Sequence, residues 1–347
     1  MKVLLLSDFF LSGQTTHVLE LAKQLQKLQV EPHIAFGTIH TKLFWSDYVP
    51  YLQRHKISFS HGASLSALTQ QSRLFQPDLI HVQSSTLLQQ AQTLSYRLAI
   101  PYVVTCHGLG FNQPRFHRYL ASASAIIAIG PKVAEQLAEF RHKVHIIPNG
   151  IDTDVFTPPQ GKSGPRRSLL YVGRLEKKRL EPLRYLAEAN SLLVDTPLKV
   201  ISNWNPQIPG TIYIPWQVNL VPHLQQSGIV AACGRTAREA LSCGNAVLLM
   251  QKAYDGIITP RLVKLGDFDF SGNLGRYDLA DLKYDLHALL HRPHRLKKLQ
   301  NWGRSYAVSS LSSAEMAAKT AALYRLVVQT FKPVPPSWQS AAHILRL

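Results

Sequence analysis

The chain has 347 residues, 46% of them hydrophobic and 17% charged, which is enough apolar material for the cores of two ordinary domains. No run of 18 apolar residues occurs, so no membrane-spanning helix is expected. Lys and Arg total 38 against 21 Asp and Glu, a formal net charge of +17 that exceeds the need of one small-metabolite site and points to an anionic partner.

The opening Met1-Lys2-Val3-Leu4-Leu5-Leu6-Ser7-Asp8 has its apolar run interrupted by Asp8 and followed by no small-residue cleavage site. It predicts a buried first strand, not a signal peptide. His17, Val18, Leu21, Ala22 and Leu25 recur at helical spacing and predict an amphipathic helix. Short apolar runs follow at Leu79–Val82, Tyr102–Thr105, Ala125–Ile129 and Val144–Ile147. Pro148-Asn149-Gly150-Ile151-Asp152 and the Pro/Gly-dense Pro158–Pro165 then predict a linker. A second series comprises Leu169–Val172, Leu198–Ile201, Thr211–Ile214 and Ala246–Leu249, and a last helix is expected over Ser313–Gln329. Strands alternating with helical stretches predict α/β architecture with two parallel, Rossmann-like halves, divided as 1–150, 151–312 and a C-terminal helix and tail over 313–347. Basic residues exceed acidic ones in both parts, 13 against 7 over 1–150 and 25 against 14 over 151–347. Cys106, Cys233 and Cys243 form no C-x-x-C pair and are odd in number, which suits a reducing, cytoplasmic setting.

The most informative stretch is Cys233–Val247, where a glycine-led helix start precedes a carboxylate one turn inside, a glycine stop and a buried strand. A helix N-terminus attracts phosphate through its unpaired N–H groups and dipole, and Glu239 can accept hydrogen bonds from sugar hydroxyls. A nucleotide sugar carries both groups. Glu239-Ala240-Leu241-Ser242-Cys243-Gly244 resembles the second half of the signature of the retaining nucleotide-sugar glycosyltransferases of the GT-B fold, in particular family 4, which has two glutamates eight positions apart. Pro148–Asp152 with Phe156 is similar to the opening of the second domain in that family.

The resemblance implies an acceptor-binding first domain, a donor-binding second domain, a cleft between them, and a C-terminal helix that crosses back onto the first. It implies transfer of a sugar, with retention, from a nucleotide-sugar donor to a glycan or lipid-linked acceptor of the cell envelope. Glu239 would bind the ribose, and the N–H groups of Gly234, Arg235, Thr236 and Ala237 would hold diphosphate or sugar. Eight positions before Glu239 stands Ala231, where the family has the acid that contacts the transferred sugar.

Gly173-Arg174-Leu175-Glu176-Lys177-Lys178-Arg179 follows a strand and places cations at its carboxyl end, where open α/β sheets bind ligands. By likeness Arg174 and Arg179, with Lys178 adjacent, stabilise the leaving diphosphate, acting most strongly as the glycosidic bond breaks. In Ser12-Gly13-Gln14-Thr15-Thr16-His17 the family resemblance puts Gly13 near the donor phosphate, while Ser12 or Thr15 equally suits an ordinary N-cap. Thr105-Cys106-His107-Gly108 is similar to a string whose histidine lies beside the donor sugar. Strand neighbours face opposite ways, so a Cys106–His107 nucleophilic pair is not expected and Cys106 is assigned to the core.

His287, His291 and His294 read as a solvated helix face, and Asp267-x-Asp269 lies beyond the expected donor pocket. GT-B enzymes work without the Asp-x-Asp metal motif, so neither a metal nor another cofactor is expected. Lys42–Lys56 and Pro114–Leu120 mix aromatics with cations, as half-buried helices do and as faces lying on anionic lipid do. The second alternative implies a peripheral protein at the inner face of the cell membrane. Nucleic acid is not an expected partner, because no helix-turn-helix, RNA-binding or zinc-finger signature accompanies the charge. Two other readings stay open: a catalytically silent GT-B protein, favoured by Ala231, and a nucleotide-sugar epimerase, disfavoured by the lack of a carboxylate pair.

Overall fold

The computed structural model describes residues 1–333 apart from 11, 63, 162, 163, 165, 194, 195 and 218. Linker positions 162, 163 and 165 and the tail over 334–347 therefore lie outside the described residues. The chain divides into two compact units, Met1–Gly150 with the described residues from Ser313 onward, and Ile151–Ser312.

The first unit contains β1 (Lys2–Phe9), α1 (Gly13–Lys27), β2 (Glu31–Ile39), α2 (Val49–Arg54), β3 (Ser58–His61), α3 (Leu65–Phe75), β4 (Leu79–Val82), α4 (Leu88–Leu98), β5 (Tyr102–Cys106), α5 (Pro114–Ser122), β6 (Ala125–Ala128), α6 (Pro131–Glu135) and β7 (Val144–Ile146). Its seven strands pair in the order β3-β2-β1-β4-β5-β6-β7, all parallel. A parallel strand covered by helices on both faces needs a continuous apolar run, and Val3 to Leu6 supply it. Val3 and Leu5 enter one core with α1, whereas Leu4 and Leu6 enter the other with α3, α4 and α5. β2 escapes an apolar-run reading because His33 and Thr38 interrupt it.

The second unit contains β8 (Leu169–Val172), α7 (Leu180–Leu193), β9 (Leu198–Ser202), β10 (Thr211–Pro215), α8 (Val221–Gln226), β11 (Ile229–Ala232), α9 (Gly234–Ser242), β12 (Ala246–Met250), β13 (Tyr254–Ile257), α10 (Leu279–His291) and α11 (Pro293–Ser310). Six strands run in the order β10-β9-β8-β11-β12-β13, with only β13 antiparallel to its neighbour. Ile151 to Phe156 pack into this unit: Ile151 N–H donates to Leu311 O at 2.9 Å, and Asp152 Oδ1 accepts from Asp154 and Val155 N–H in a tight turn.

The last helix, α12 (Ser313–Thr330), belongs to the first unit and buries Met316, Ala317, Ala321 and Tyr324 against the core that contains α1. Met1 to Phe9 thus form a central strand, and the final apolar helix completes the same core.

Candidate active site

Both sheets reverse their strand order once, at β1/β4 in the first unit and at β8/β11 in the second. Ligands of open α/β sheets bind outside the carboxyl ends of the strands at such a switch point, where the two flanking connections diverge and leave a crevice. Of the candidate site residues, Gly13 follows β1, Arg174, Lys178 and Arg179 follow β8, and Gly234 to Glu239 follow β11, while His107 follows β5.

In the second unit the chain leaves β11 directly into α9, with Cys233 as N-cap in extended backbone and no side-chain cap. The helix forms because Ala237, Ala240 and Leu241 give it a buried stripe. It stops at Gly244, whose φ of +67° suits glycine, with Gly244 N–H on Leu241 O and Asn245 N–H on Ala240 O satisfying the last carbonyls. Two of the N–H groups at the helix start are already paired. Gly234 N–H donates to Phe270 O at 2.6 Å and Ala237 N–H to Cys233 O at 3.3 Å, while Thr236 N–H has no hydrogen-bond partner among the described residues. A buried N–H is almost always paired, and the loop through Phe270 does this for Gly234. Arg238 locks that loop down with its guanidinium 4.5 Å from the Phe270 ring centroid. Burial lowers the Arg238 pKa to about 10, with Arg235 acting in the same direction. It remains a cation.

Glu239 is buried, and its Oε1 accepts from Arg235 Nε at 2.7 Å, one helical turn earlier. Glu239, expected to bind the ribose, is held by a cation of its own helix. Its Oε2 has no hydrogen-bond partner among the described residues. A charged carboxylate at 5% exposure needs a paired partner, and the i,i+4 spacing provides one. Arg235 therefore orients Glu239 from within the same helix.

The loop after β8 divides the predicted cations. Arg174 and Lys178 are exposed. The Arg179 side chain is only 12% exposed, anchored by Nη1 on Arg174 O at 2.7 Å and facing Glu176 at 3.5 Å. With its amide oxygen toward Arg179, Gln251 also accepts from the guanidinium, and its NH2 reaches Ser271 O at 2.9 Å. Burial raises the pKa values of the Tyr171 hydroxyl and the Cys233 thiol, and the nearby Arg179 charge opposes both shifts. Arg179 is tied through Gln251 to Ser271, the residue after Phe270, whose carbonyl holds the start of α9. Tyr171, Gln251 and Phe270 escaped the sequence reading, since nothing in their local pattern marks them.

Ala231 lies within β11, fully buried, paired with Tyr171 on one side and Leu248 on the other. Its methyl group belongs to the apolar core that also holds Tyr171 and Leu248. Both carboxylates of Asp267-x-Asp269 are engaged, Asp267 with Arg276 at 2.6 Å and Asp269 with Ser271 N–H at 2.8 Å.

In the first unit, α1 leaves β1 through an ordinary N-cap in which Ser12 Oγ accepts from Gln14 N–H at 3.2 Å and Thr15 N–H at 3.5 Å. Gly13 is exposed, and no atom lies within 4 Å of where a Cβ would stand. Its backbone conformation does not itself require glycine. Gln14 Nε2 reaches Ser84 Oγ at 2.7 Å, tying the β1 connection to the β4 connection, and Asp8 is held by Thr38 N–H at 2.8 Å and by the Thr86 hydroxyl.

His107, just past β5, places Nε2 2.7 Å from Gln83 Oε1 and stacks edge-on against His17 with centroids 4.9 Å apart. Its Nδ1 is buried without a hydrogen-bond partner. Gln83 in turn contacts His81, which is bonded to Thr105 Oγ1 at 2.7 Å and to the Tyr324 hydroxyl of α12. Burial lowers the pKa of both His81 and His107 to about 3. Cys106 is fully buried in the apolar core containing α3 to α5, and burial raises its thiol pKa.

Residues 11–155 match the family model of Glycosyltransferase Family 4. No curated protein matches the chain. Among solved structures the chain is similar to a glycosyltransferase from Rickettsia africae ESF-5, at 15% identity and TM-score 0.73, covering 95% of this chain and 99% of that one. It is also similar to HepE from Anabaena in complex with UDP, at 13% identity and TM-score 0.70, covering 94% and 100%. The chain has the GT-B fold. A sucrose-phosphate synthase from Thermosynechococcus elongatus shares the fold at 14% identity and TM-score 0.61, covering 95% of this chain and 99% of that one. The family match covers most of the first unit and ends five residues into the second, whereas the Glu239–Gly244 resemblance arises well inside the second, so separate parts of the GT-B chain point the same way.

Proposed function

We propose that the protein is a glycosyltransferase that moves a hexosyl group, with retention, from a nucleotide-sugar donor to a glycan or lipid-linked acceptor of the cell envelope. The observation that carries this reading is the tie, at the β8/β11 switch point, from Arg179 through Gln251 to Ser271, next to the Phe270 carbonyl that holds the start of α9. A largely buried guanidinium and the open Thr236 N–H there suit a diphosphate, and Glu239 Oε2 suits a ribose hydroxyl. The residues 151–312 are assigned to the donor and 1–150 to the acceptor.

Arg179 loses little freedom when the diphosphate departs, because Arg174 O and Gln251 already fix it. A preorganised cation in a site poor in water stabilises developing charge most effectively. Arg174 and Lys178, both exposed, are assigned to the outer phosphate. Neutral His107 is assigned a place beside the donor sugar. Arginines take the place a metal ion would have, so transfer is assigned as metal-independent. Three of the similar structures hold UDP and a fourth holds UDP-glucose, which makes uridine nucleotides the first probes.

A silent binding protein is the second reading, supported by Ala231, a core alanine, standing where the family has the acid. A thermal-shift screen across nucleotide sugars, followed by hydrolysis and transfer assays with the best binder, separates the two. Turnover supports the enzyme; saturable binding without turnover supports the silent protein. No helix among the described residues is long and apolar enough to cross a membrane, and a cytoplasmic protein peripheral to the membrane is the localisation we assign.

A further inference from the structure

A second cationic site lies at the opposite end of α9. There a cavity of about 300 Å³ is lined by Arg166, Gly244, Lys297, Gln300, Asn301 and Arg304, among others, with no carboxylate among the described lining residues. Arg166 spends its two terminal nitrogens on carbonyls: Nη1 on Leu224 and Gln225 at 3.1 and 2.8 Å, Nη2 on Cys243 and Gly244 at 2.7 and 2.5 Å. Arg304 anchors Nη1 on Thr153 O, Phe156 O and Ser242 O at 2.9, 2.9 and 3.2 Å. Its Nε and Nη2 have no hydrogen-bond partner among the described residues, and Lys297 Nζ has one long contact, 3.4 Å to Gly164 O.

The carbonyls account for the geometry of the two arginines but not for their charge. The C-terminal ends of α8 and α9 supply about half a negative charge each, against three cations around the cavity. About two positive charges remain uncompensated. The Nε/Nη2 edge of a guanidinium is a fork matched to two oxygens of an oxyanion, and in Arg304 this is the edge left open while Nη1 is fixed. The cavity lies at the lower limit of small-molecule pockets, about 300 Å³, a size suited to a phosphate or pyrophosphate. α9 has nine residues, about 14 Å at 1.5 Å per residue, so this site is separate from the helix start assigned to the donor.

We propose that this cavity binds a small phosphate-type oxyanion, with Arg304 as the fork and Lys297 and Arg166 as flanking charges. The test uses the full chain titrated calorimetrically with inorganic phosphate and, separately, with inorganic pyrophosphate, which distinguishes the two sources. Hydrogen–deuterium exchange over residues 297–305 locates the binding. Protection of that segment is expected with at least one anion, and Lys297→Met should weaken its binding about tenfold, as loss of one charge-assisted bond does. Arg304→Lys, which keeps the charge and removes the fork, should weaken it similarly. Lys297 has so little structural engagement that Lys297→Met should keep the wild-type thermal midpoint, which guards against misfolding as the explanation. Absence of protection with both anions, or unchanged affinity in Lys297→Met, overturns the proposal.

Discussion

The side-chain oxygen of Gln83 lies 2.7 Å from Nε2 of His107, and because an amide oxygen only accepts, that contact puts the imidazole proton on Nε2. Nδ1 is left as a buried lone pair. Protonating it would place an unpartnered charge in a site already crowded by His81 and His17, which is why burial holds the His107 pKa so low.

This has a consequence for acid stability. His81 and His107 titrate at about 3 in the folded protein and at about 6.5 unfolded. Above pH 6.5 both states are neutral there and the pair adds no pH dependence. Below it the unfolded chain takes up protons that the folded chain refuses, so stability falls as pH falls, until the folded pKa is reached. The expected loss at pH 5 is about 2 kcal/mol per histidine, scaled from 1.36 kcal/mol per pKa unit. Denaturant midpoints at pH 7 and pH 5 measure it. His107→Gln should flatten part of the slope, and an unchanged slope would remove His107 from this account.

Glu239→Ala should weaken nucleotide binding by about 1.5–3 kcal/mol, the usual worth of hydrogen bonds to a charged group. Arg235→Ala tests the orienting role separately. It strips a buried carboxylate of its cation, so it should lower stability by about 3–5 kcal/mol and weaken nucleotide binding as well. Calorimetry showing wild-type affinity in folded Glu239→Ala would take that residue out of the donor site.

The two arginines of the β8 loop should behave differently when changed singly. Arg174 is exposed and contributes its carbonyl, which survives substitution, so Arg174→Ala should leave stability within about 0.5 kcal/mol while lowering kcat. Arg179→Ala removes a largely buried cation that ties Arg174 O to Gln251 and should lower both. Thermal melts beside single-turnover kinetics distinguish the pair; equal behaviour in both measurements would contradict the separation seen in the loop.

How far these features were legible depended on whether their partners lie close in sequence. The helix start, Glu239 and the Gly244 stop are local patterns, and the i,i+4 spacing of Arg235 and Glu239 was visible too, a pairing signal that the sequence reading passed over. The capping of Gly234 by Phe270 O joins positions 36 residues apart and has no local mark. The same holds for His81 and Tyr324, which meet across 243 residues. Ala231 shows the limit from the other side. Its spacing from Glu239 was countable, but only the strand pairing reveals that the position lies in an apolar core.

Metal independence follows from the assignment of Arg174, Lys178 and Arg179 to the diphosphate. Transfer measured after exhaustive chelation should match the untreated rate. Activity restored only by added magnesium or manganese would mean that the arginines do not suffice.

The membrane reading becomes sharper when the two aromatic-basic segments are placed on the fold. Phe44 and Leu52 anchor the first segment in the core containing α1, while Tyr119 and Leu120 anchor α5 in the core on the other face of the sheet. Arg115 and Arg118 are also laid over Phe116 and Tyr119, with centroid distances of 4.6 Å in each case. One flat contact is therefore not expected to engage both segments. The first segment presents Trp45 and Leu43 at 52% and 42% exposure, together with exposed Lys42, Arg54 and Lys56. Each cation near anionic lipid contributes about 1 kcal/mol, so Lys42→Glu with Lys56→Glu should lower vesicle partitioning by about thirtyfold or more. Arg115→Ala with Arg118→Ala should change it little. Sedimentation with anionic and neutral vesicles at low and high salt measures the effect, which should fade as the Debye length shortens to about 3 Å at 1 M salt. Equal recovery on neutral and anionic vesicles at low salt would assign the +17 charge to another partner and make a soluble acceptor the better reading.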